Sequence, residues 1–175
     1  MGIGEHADRV YLIDFGLATA YRAATTHAHM PCVEHNPLTG SAPYSSINTH
    51  LGLTQSRRDD LESLAYVLIY FLCGSLPWHR PNSSTHRTPK WILAKKTTGS
   101  SGALLAGYPN EFKTFLDYAR SLDFKEKPDY TYLRNLFANL LTREELQNNC
   151  EYDWDLVPPS TCLDQDAPKA TVGRM

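Results

Sequence analysis

The amino-acid sequence predicts a mainly α-helical domain with one short β element near its N-terminus. A long apolar segment with helix-starting and helix-ending signals lies mid-chain, and two amphipathic segments follow it. A short run of β-favouring residues lies near the N-terminus. At 175 residues and 42% hydrophobic content, the chain has the size and apolar content of one domain with a core.

The β element is expected at residues 10–13, where four apolar residues lead into Asp14-Phe15-Gly16. A glycine at that point permits a sharp change of direction, so the pattern predicts a strand running into a loop. Residues 17–56 have no sustained helical period and are rich in Thr, His, Ser, Asn, Pro and Gly. A connection of that length inside a domain is usually functional or disordered.

The clearest helix is predicted from about Arg57 to Cys73. Ser56 and Asp59 have the spacing of a capping box, acidic residues fill the first turn, and Gly74 supplies the stop. Residues 64–72 are apolar on every side of the helix. A helix tolerates that only when neighbours surround it, so we expect it to be the central, wholly buried post of the domain.

Further helices are predicted after it. Residues 90–97 favour a short helix. Two segments then repeat apolar residues at steps of three and four, at Phe112, Phe115, Leu116, Ala119 and Leu122, and at Leu133, Leu136, Phe137, Leu140 and Leu141. We expect one domain over residues 1–156 and a disordered tail over residues 157–175, which have little to bury.

Composition excludes several functions. The chain has 17 Lys and Arg against 19 Asp and Glu, a net charge of −2, so no global field steers it to nucleic acid or to anionic membranes. The longest apolar run, residues 64–73, is about half of what crosses a bilayer. Four cysteines without a C-x-x-C pair, and no apolar signal segment, indicate reduced thiols in the cytosol or nucleus.

The tripeptide Asp14-Phe15-Gly16 is weak evidence alone, because it occurs by chance. A strand leading into Asp14 would place a carboxylate at the strand's end, where it can hold a Mg²⁺ that bridges nucleotide phosphates. The long loop and the acid-capped helix then follow in the order expected of the large lobe of a protein kinase.

Short motifs follow one another along most of the chain. They are L-I-D-F-G-L-A at 12–18, L-T-G at 38–40, S-I-N-T-H-L-G at 46–52, Q-S-R-R-D-D-L-E-S-L at 55–64, G-S-L-P-W at 74–78, G-Y-P at 107–109, K-P-D-Y at 127–130 and Y-L-R at 132–134. In these motifs the chain resembles casein kinase I, a family of serine/threonine protein kinases, over roughly residues 1–156. The S-I-N-T-H element at residues 46–50 is especially indicative, because this family carries it where most protein kinases have A-P-E.

The resemblance implies a kinase-like fold and roles for particular residues. Asp14 would be the metal ligand, Ile13 would line the floor of the adenine pocket, and residues 17–38 would form the activation segment. Asp60 would be a buried, structural aspartate that ties the central helix to the catalytic loop. The platform beside the substrate hydroxyl would include Gly40, Ser41, Tyr44, Ser46 and Asn48. The complete family domain uses ATP and Mg²⁺ as cofactors and takes protein substrates or partner proteins.

Other parts of a kinase do not occur in the sequence. A glycine-rich loop, its paired lysine and an H-R-D loop with its base and asparagine are expected before Met1. We therefore expect no kinase activity from these residues alone. Two alternatives stay open, a fragment of an active enzyme and a shortened pseudokinase that acts as a protein-interaction module. The surface facing the absent lobe should expose apolar residues and favour association.

Several charged groups have competing interpretations. Arg22, Arg57 and Arg58 are candidate anion contacts, but pairing with nearby acids is the simpler interpretation for the last two. Lys90, Lys95 and Lys96 suggest a solvated helix face, with a targeting patch as the alternative. His27 and His29 lack further ligands nearby for a metal. The family's usual basic residues are replaced at Thr19, Ala20, Val33, Asn36 and Pro43, so a preference for acidic or phosphorylated substrates is not expected to carry over.

Overall fold

A computed structural model describes residues 2, 4–6, 9–34, 37–79 and 88–145. The chain divides into two compact units, one of residues 14–146 and one of residues 1–13 with 147–175. The described part of the second unit contains a single 3₁₀ turn, Gly4–His6. The N–H of Gly2 donates to Arg9 O at 2.8 Å, and the N–H of Arg9 donates to His6 O at 3.0 Å, which closes this short segment on itself.

The larger unit is helical, as the sequence predicts. A 3₁₀ turn at Phe15–Leu17 precedes the long irregular connection, and four later helices match their predicted positions to within a few residues. The short helices at Ile47–His50 and Ser101–Leu104 were not predicted. The α-helices are α1 (Ile47–His50), α2 (Arg57–Cys73), α3 (Pro89–Thr98), α4 (Ser101–Leu104), α5 (Asn110–Ser121) and α6 (Tyr130–Arg143).

The predicted strand at residues 10–13 is wrong for the part of the chain that the structure describes. The segment has no strand partner there, and Val10, Leu12 and Ile13 are 80%, 84% and 82% exposed. Residue preference alone does not make a strand, because a strand needs a neighbour to accept and donate its ladder hydrogen bonds. One isolated bridge, between Arg22 and His29, lies within the long connection instead.

Helix α2 packs on one face only, so the expectation of a wholly buried post is wrong. Leu61, Ala65, Tyr66 and Ile69 are buried and line that face. On the rest of the helix, Leu64 is 46% and Phe71 is 74% exposed. Part of the apolar surface of α2 is therefore not covered by its described neighbours.

The ends of α2 form as the sequence predicts. The N–H of Ser56 donates to Asp59 Oδ2 at 2.8 Å, which is the acidic half of the capping box. Gly74 ends the helix in the left-handed region, with φ +72°, and its N–H donates to Tyr70 O at 2.8 Å. A residue with a Cβ is strained in that conformation, so this position requires glycine.

The core lies where α2 meets α5, and α6 packs against α5 and adds Leu133 to the same core. The buried residues of α5 are Phe115, Leu116 and Ala119, which belong to the predicted stripe. In α6, Leu133 and Leu140 are buried, whereas Leu141 is 39% exposed and lies at the edge. An ion pair between Arg143 and Glu111 joins the end of α6 to the start of α5.

The predicted boundary at residue 156, the predicted tail 157–175 and Trp154 lie outside the described residues. Within the described ranges, no helix combines the length and the apolar character needed to span a bilayer.

Candidate functional site

Asp14 adopts an unusual backbone conformation. Its φ of 61° and ψ of 70° lie in the left-handed region, which a non-glycine residue seldom occupies. The Asp14 Oδ1 atom accepts a hydrogen bond from the Gly16 N–H at 3.3 Å, which fixes the carboxylate over the 3₁₀ turn. A Cβ at Gly16 would lie 3.2 Å from that oxygen, so glycine permits the close approach. Strained residues of this kind concentrate at functional sites.

The donor chemistry of Asp14 suits a hard cation. Mg²⁺ is usually held by one or two carboxylates together with phosphate oxygens and water. Among the described residues, no group of three His, Cys, Asp or Glu side chains gathers around Asp14 or elsewhere to form a complete protein cage. The donor chemistry of Asp14 therefore fits one carboxylate ligand of a Mg²⁺ ion, not a complete protein cage.

Ile13, the expected adenine contact, is 82% exposed. It does not line an enclosed pocket among the described residues, and its role stays a prediction. The chain continues through the exposed Phe15 and Leu17 into the predicted activation segment.

The predicted substrate platform is a tight loop ahead of α1. Gly40 has φ +82°, and the N–H groups of Tyr44 and Ser45 both donate to Ser41 O, at 2.9 and 3.1 Å. Ser45 Oγ donates to Thr39 O at 3.3 Å. Gly40 and Ser41 are exposed, whereas Tyr44 is partly buried against the rings of Tyr70 and His79. Only the first part of the platform is therefore open to a substrate.

The side chains of Ser46 and Asn48 both form hydrogen bonds to Asp59 at the start of α2. Ser46 is completely buried, and its Oγ donates to Asp59 Oδ1 at 2.7 Å and accepts from the Thr49 N–H at 3.0 Å. Asn48 Nδ2 donates to the same Asp59 oxygen at 3.1 Å. These contacts occupy both side chains in anchoring α1 to the start of α2. The place of Ser46 in the substrate platform stays a prediction, and in this structure its hydroxyl is buried and not exposed to solvent.

Asp59, and not Asp60, is the buried aspartate. Asp59 is 2% exposed, and its two oxygens accept from Ser46, Asn48 and the Ser56 N–H. Asp60 is exposed, and partial desolvation and the nearby Asp59 charge raise its pKa. The two acids are adjacent on a helix and point about 100° apart, so only one of them reaches the α1 segment. The predicted burial of Asp60 is therefore wrong.

Glu62 joins three helices one turn further along α2. Its Oε2 accepts from the Ile47 N–H of α1 at 3.3 Å, and its Oε1 accepts from Tyr66 OH at 2.5 Å and from Arg120 Nε of α5 at 3.3 Å. Arg120 also donates to Tyr66 OH at 2.8 Å and to Lys96 O at 3.2 Å. Glu62 is 2% exposed, so this charge is buried with a charged partner and with several donors.

Lys96 forms hydrogen bonds to the backbone of the predicted platform. Its ammonium group donates to Ser45 O at 2.5 Å and to Ala42 O at 3.2 Å, and it lies 4.3 Å from the centre of the Tyr66 ring. The side chain is 1% exposed. Burial lowers the pKa of Lys96 to about 7, an effect that the charge of Glu62 only partly opposes. Lys96 is therefore a structural lysine, and the predicted solvated face is wrong at this position.

His50 lies beside the same ammonium group. Its Nε2 lies 3.0 Å from Ala42 O and 3.5 Å from Lys96 Nζ. Burial and the neighbouring Lys96 lower the His50 pKa.

Trp78 contacts the predicted platform at Pro43, where its indole N–H donates to Pro43 O at 2.8 Å. Pro43 thus contributes an acceptor although it lacks a donor.

The sequence analysis did not predict the buried hydrogen bonds of Glu62, Lys96 and Arg120. One sequence signal could have identified Lys96, because it follows the buried Ile92 by four residues and so shares its helix face.

The sequence matches no protein-family model.

Proposed function

We propose that this chain is the large, C-terminal lobe of a protein kinase domain related to casein kinase I. Its ancestral reaction is transfer of the ATP γ-phosphoryl group to a serine or threonine of a protein. Asp14 is the Mg²⁺ ligand in this proposal, and Gly40 and Ser41 are the platform residues that remain open to substrate.

One observation carries the proposal. Two motifs of the resemblance, S-I-N-T-H and S-R-R-D-D, lie against each other through the hydrogen bonds of Ser46 and Asn48 to Asp59. The two motifs therefore form one buried, charge-assisted unit, which supports the proposal. The strained backbone of Asp14 gives independent support, because it lies at the residue that the resemblance assigns to the metal.

Each group has a limited task in phosphoryl transfer. When bound, Mg²⁺ neutralises charge on the phosphates. The carboxylate of Asp14 would hold the metal, and the hydrogen bond from the Gly16 N–H orients that carboxylate. The base that accepts the substrate proton is not among these residues, so the chain alone is expected to be inactive.

The experiment compares radiolabel transfer from Mg·ATP to casein by three proteins made from the full transcript. These are the wild type, Asp14→Asn and Glu144→Gln, the last being an exposed carboxylate at the end of α6. We expect the Asp14→Asn rate to fall by on the order of 100-fold or more, and the control to label normally. Normal labelling by Asp14→Asn would refute the metal role. Labelling of casein by residues 1–175 alone would refute the expected inactivity.

A protein-interaction module is the second candidate, and the exposed face of α2 favours it. Leu64 and Phe71 are 46% and 74% exposed on an otherwise core-forming helix. A pull-down with the wild type should then retain a defined partner without ATP, and Phe71→Ser should lose that partner. A partner that binds only with Mg·ATP, or that Phe71→Ser retains, would count against this candidate.

A further inference from the structure

Three arginines lie near the N-terminus of α2, where Arg58 adjoins the Asp59 carboxylate described above. Arg57 Cζ lies 4.5 Å and Arg22 Cζ lies 5.4 Å from the centre of the Tyr21 ring. Arg58 Cζ lies 5.7 Å from the Phe124 ring, which packs at 4.7 Å against the imidazole of His29. We call Arg22, Arg57 and Arg58, with the rings of Tyr21, His29 and Phe124, the arginine cluster.

Neutral acceptors hold two of the guanidinium groups in place. Arg57 Nη2 donates to Lys125 O at 2.9 Å, and Arg58 Nη1 donates to Leu122 O at 3.1 Å. These carbonyls orient the groups but do not neutralise them. Within the described ranges, each of these hydrogen bonds uses one of the five N–H donors of its guanidinium group.

The cluster carries positive charge with little compensation. Among the described residues, the only carboxylate within 4.0 Å of these guanidinium nitrogens is Asp59, at 3.8 Å from Arg58 Nε. Asp59 already accepts hydrogen bonds from Ser46, Asn48 and the Ser56 N–H. Pairing with acids therefore does not account for Arg57 or Arg22, and it accounts only weakly for Arg58.

Two guanidinium nitrogen atoms of the cluster, Arg57 Nε and Arg58 Nε, are buried without a hydrogen bond in the described part of the chain. A buried donor without an acceptor costs on the order of 1–3 kcal/mol, and more when it is charged. An aromatic face attracts a guanidinium group but does not accept its directional N–H bonds as an oxygen does.

We propose that the arginine cluster binds a phosphate dianion, either as the free ion or as the phosphate monoester of a side chain. A phosphate presents several oxygens to planar guanidinium donors, and its charge of about −1.5 to −2 near pH 7 complements three arginines better than chloride does. Arg22 is exposed and Tyr21 is 39% exposed, so the ion can enter from that side. The proposal does not depend on the kinase assignment.

The test is an NMR titration of the full chain that follows the arginine Nε–H resonances. Inorganic phosphate is compared with sodium chloride at matched ionic strength, because screening alone also moves surface charges. We expect phosphate to shift the Nε–H signals of Arg57 and Arg58, and chloride to leave them nearly unchanged. Absence of a phosphate-specific shift at both arginines would overturn the proposal without any need for a variant.

Variants add a second readout. Arg22→Ala changes an exposed residue and should weaken phosphate binding by about five-fold or more, through loss of one charged contact. The control is Arg134→Ala, an exposed arginine of α6 whose guanidinium contacts only the Thr131 hydroxyl among the described residues. Equal phosphate affinity in Arg22→Ala and in wild type would refute the inclusion of Arg22 and the three-arginine site.

A parallel titration with O-phosphothreonine separates the two sources. Tighter binding of phosphothreonine than of inorganic phosphate would identify a phosphorylated side chain as the occupant. The reverse order would identify the free ion, and either order supports a phosphate site. An unshifted spectrum with both ligands would overturn it.

Discussion

Single charged residues determine how the region around the predicted platform is held. Lys96, Asp59 and Glu62 are each 2% exposed or less, and each forms hydrogen bonds to a different part of residues 42–48. Buried charge is costly unless it is paired or hydrogen-bonded. Loss of any one of these partners should therefore be more damaging than a surface change.

Lys96 should make stability depend on pH. Its pKa falls from 10.5 when unfolded to about 7 when folded, so between these values the unfolded chain binds more protons. The free energy of unfolding should therefore rise from pH 7 to pH 9, by up to about 1.4 kcal/mol per pH unit. Urea unfolding at pH 7, 8 and 9 measures this slope.

The matched variants for that slope are Lys96→Met and Lys95→Met. Lys95 is the exposed neighbour on the same helix, so its loss should leave the slope as in wild type. Lys96→Met should flatten it. An unchanged slope in Lys96→Met would show that another group titrates over this range.

The adjacent acids at the start of α2 should differ sharply in their effect on stability. Asp59→Ala removes the acceptor of three hydrogen bonds and leaves buried donors unpaired, so we expect a loss of about 3 kcal/mol or more. Asp60→Ala changes an exposed side chain and should alter the free energy of unfolding by about 0.5 kcal/mol or less. Equal losses in the two variants, measured by chemical denaturation, would contradict the assignment of Asp59 as the anchor.

At the scale of secondary-structure elements, local sequence patterns predicted the features that depend on residue spacing and helix capping. The stripe of α5 and the ends of α2 follow from local rules of spacing and capping, and they are where the sequence predicts them. The strand at residues 10–13 and the full burial of α2 depend on neighbours that a local pattern does not encode. Asp59 and Asp60 are the same residue type, so the sequence does not show which of them is buried. Their positions around the helix axis determine that Asp59 contacts Ser46.

The contact between α2 and α5 should depend on a coupled pair. Arg120 Nε lies 3.3 Å from Glu62 Oε1, and their side chains are 24% and 3% exposed. A double-mutant cycle with Glu62→Gln and Arg120→Met should give a coupling of about 1–3 kcal/mol. The exposed pair Lys113 and Asp117, at 2.6 Å and over 40% exposed, is the control and should give about 0.5 kcal/mol or less. Similar couplings for both pairs would contradict a special role for the buried one.

At the scale of the whole molecule, the apolar surface is larger than the described contacts explain. The exposed side chains include Val10, Leu12, Ile13, Phe15, Leu17, Leu64 and Phe71, each at least 46% exposed. Exposed apolar side chains in each unit favour association. The sequence suggested such exposure, but only by its resemblance to a lobe that normally has a neighbour.

Association of the chain should therefore respond to one residue of α2. Phe71→Ser should lower the mean mass in light scattering relative to wild type, because Phe71 is 74% exposed. Thr97→Ser on α3 is a control that changes an already polar, exposed position. A monodisperse monomer of the wild-type chain would contradict this prediction.

The kinase assignment is tested most directly by mapping the 5′ end of the transcript that encodes this chain. The assignment predicts an in-frame segment before the Met1 codon that encodes a glycine-rich loop, its lysine and an H-R-D loop. A transcript that starts at the Met1 codon, without such a segment, would contradict the enzyme proposal and leave the interaction module as the function to pursue.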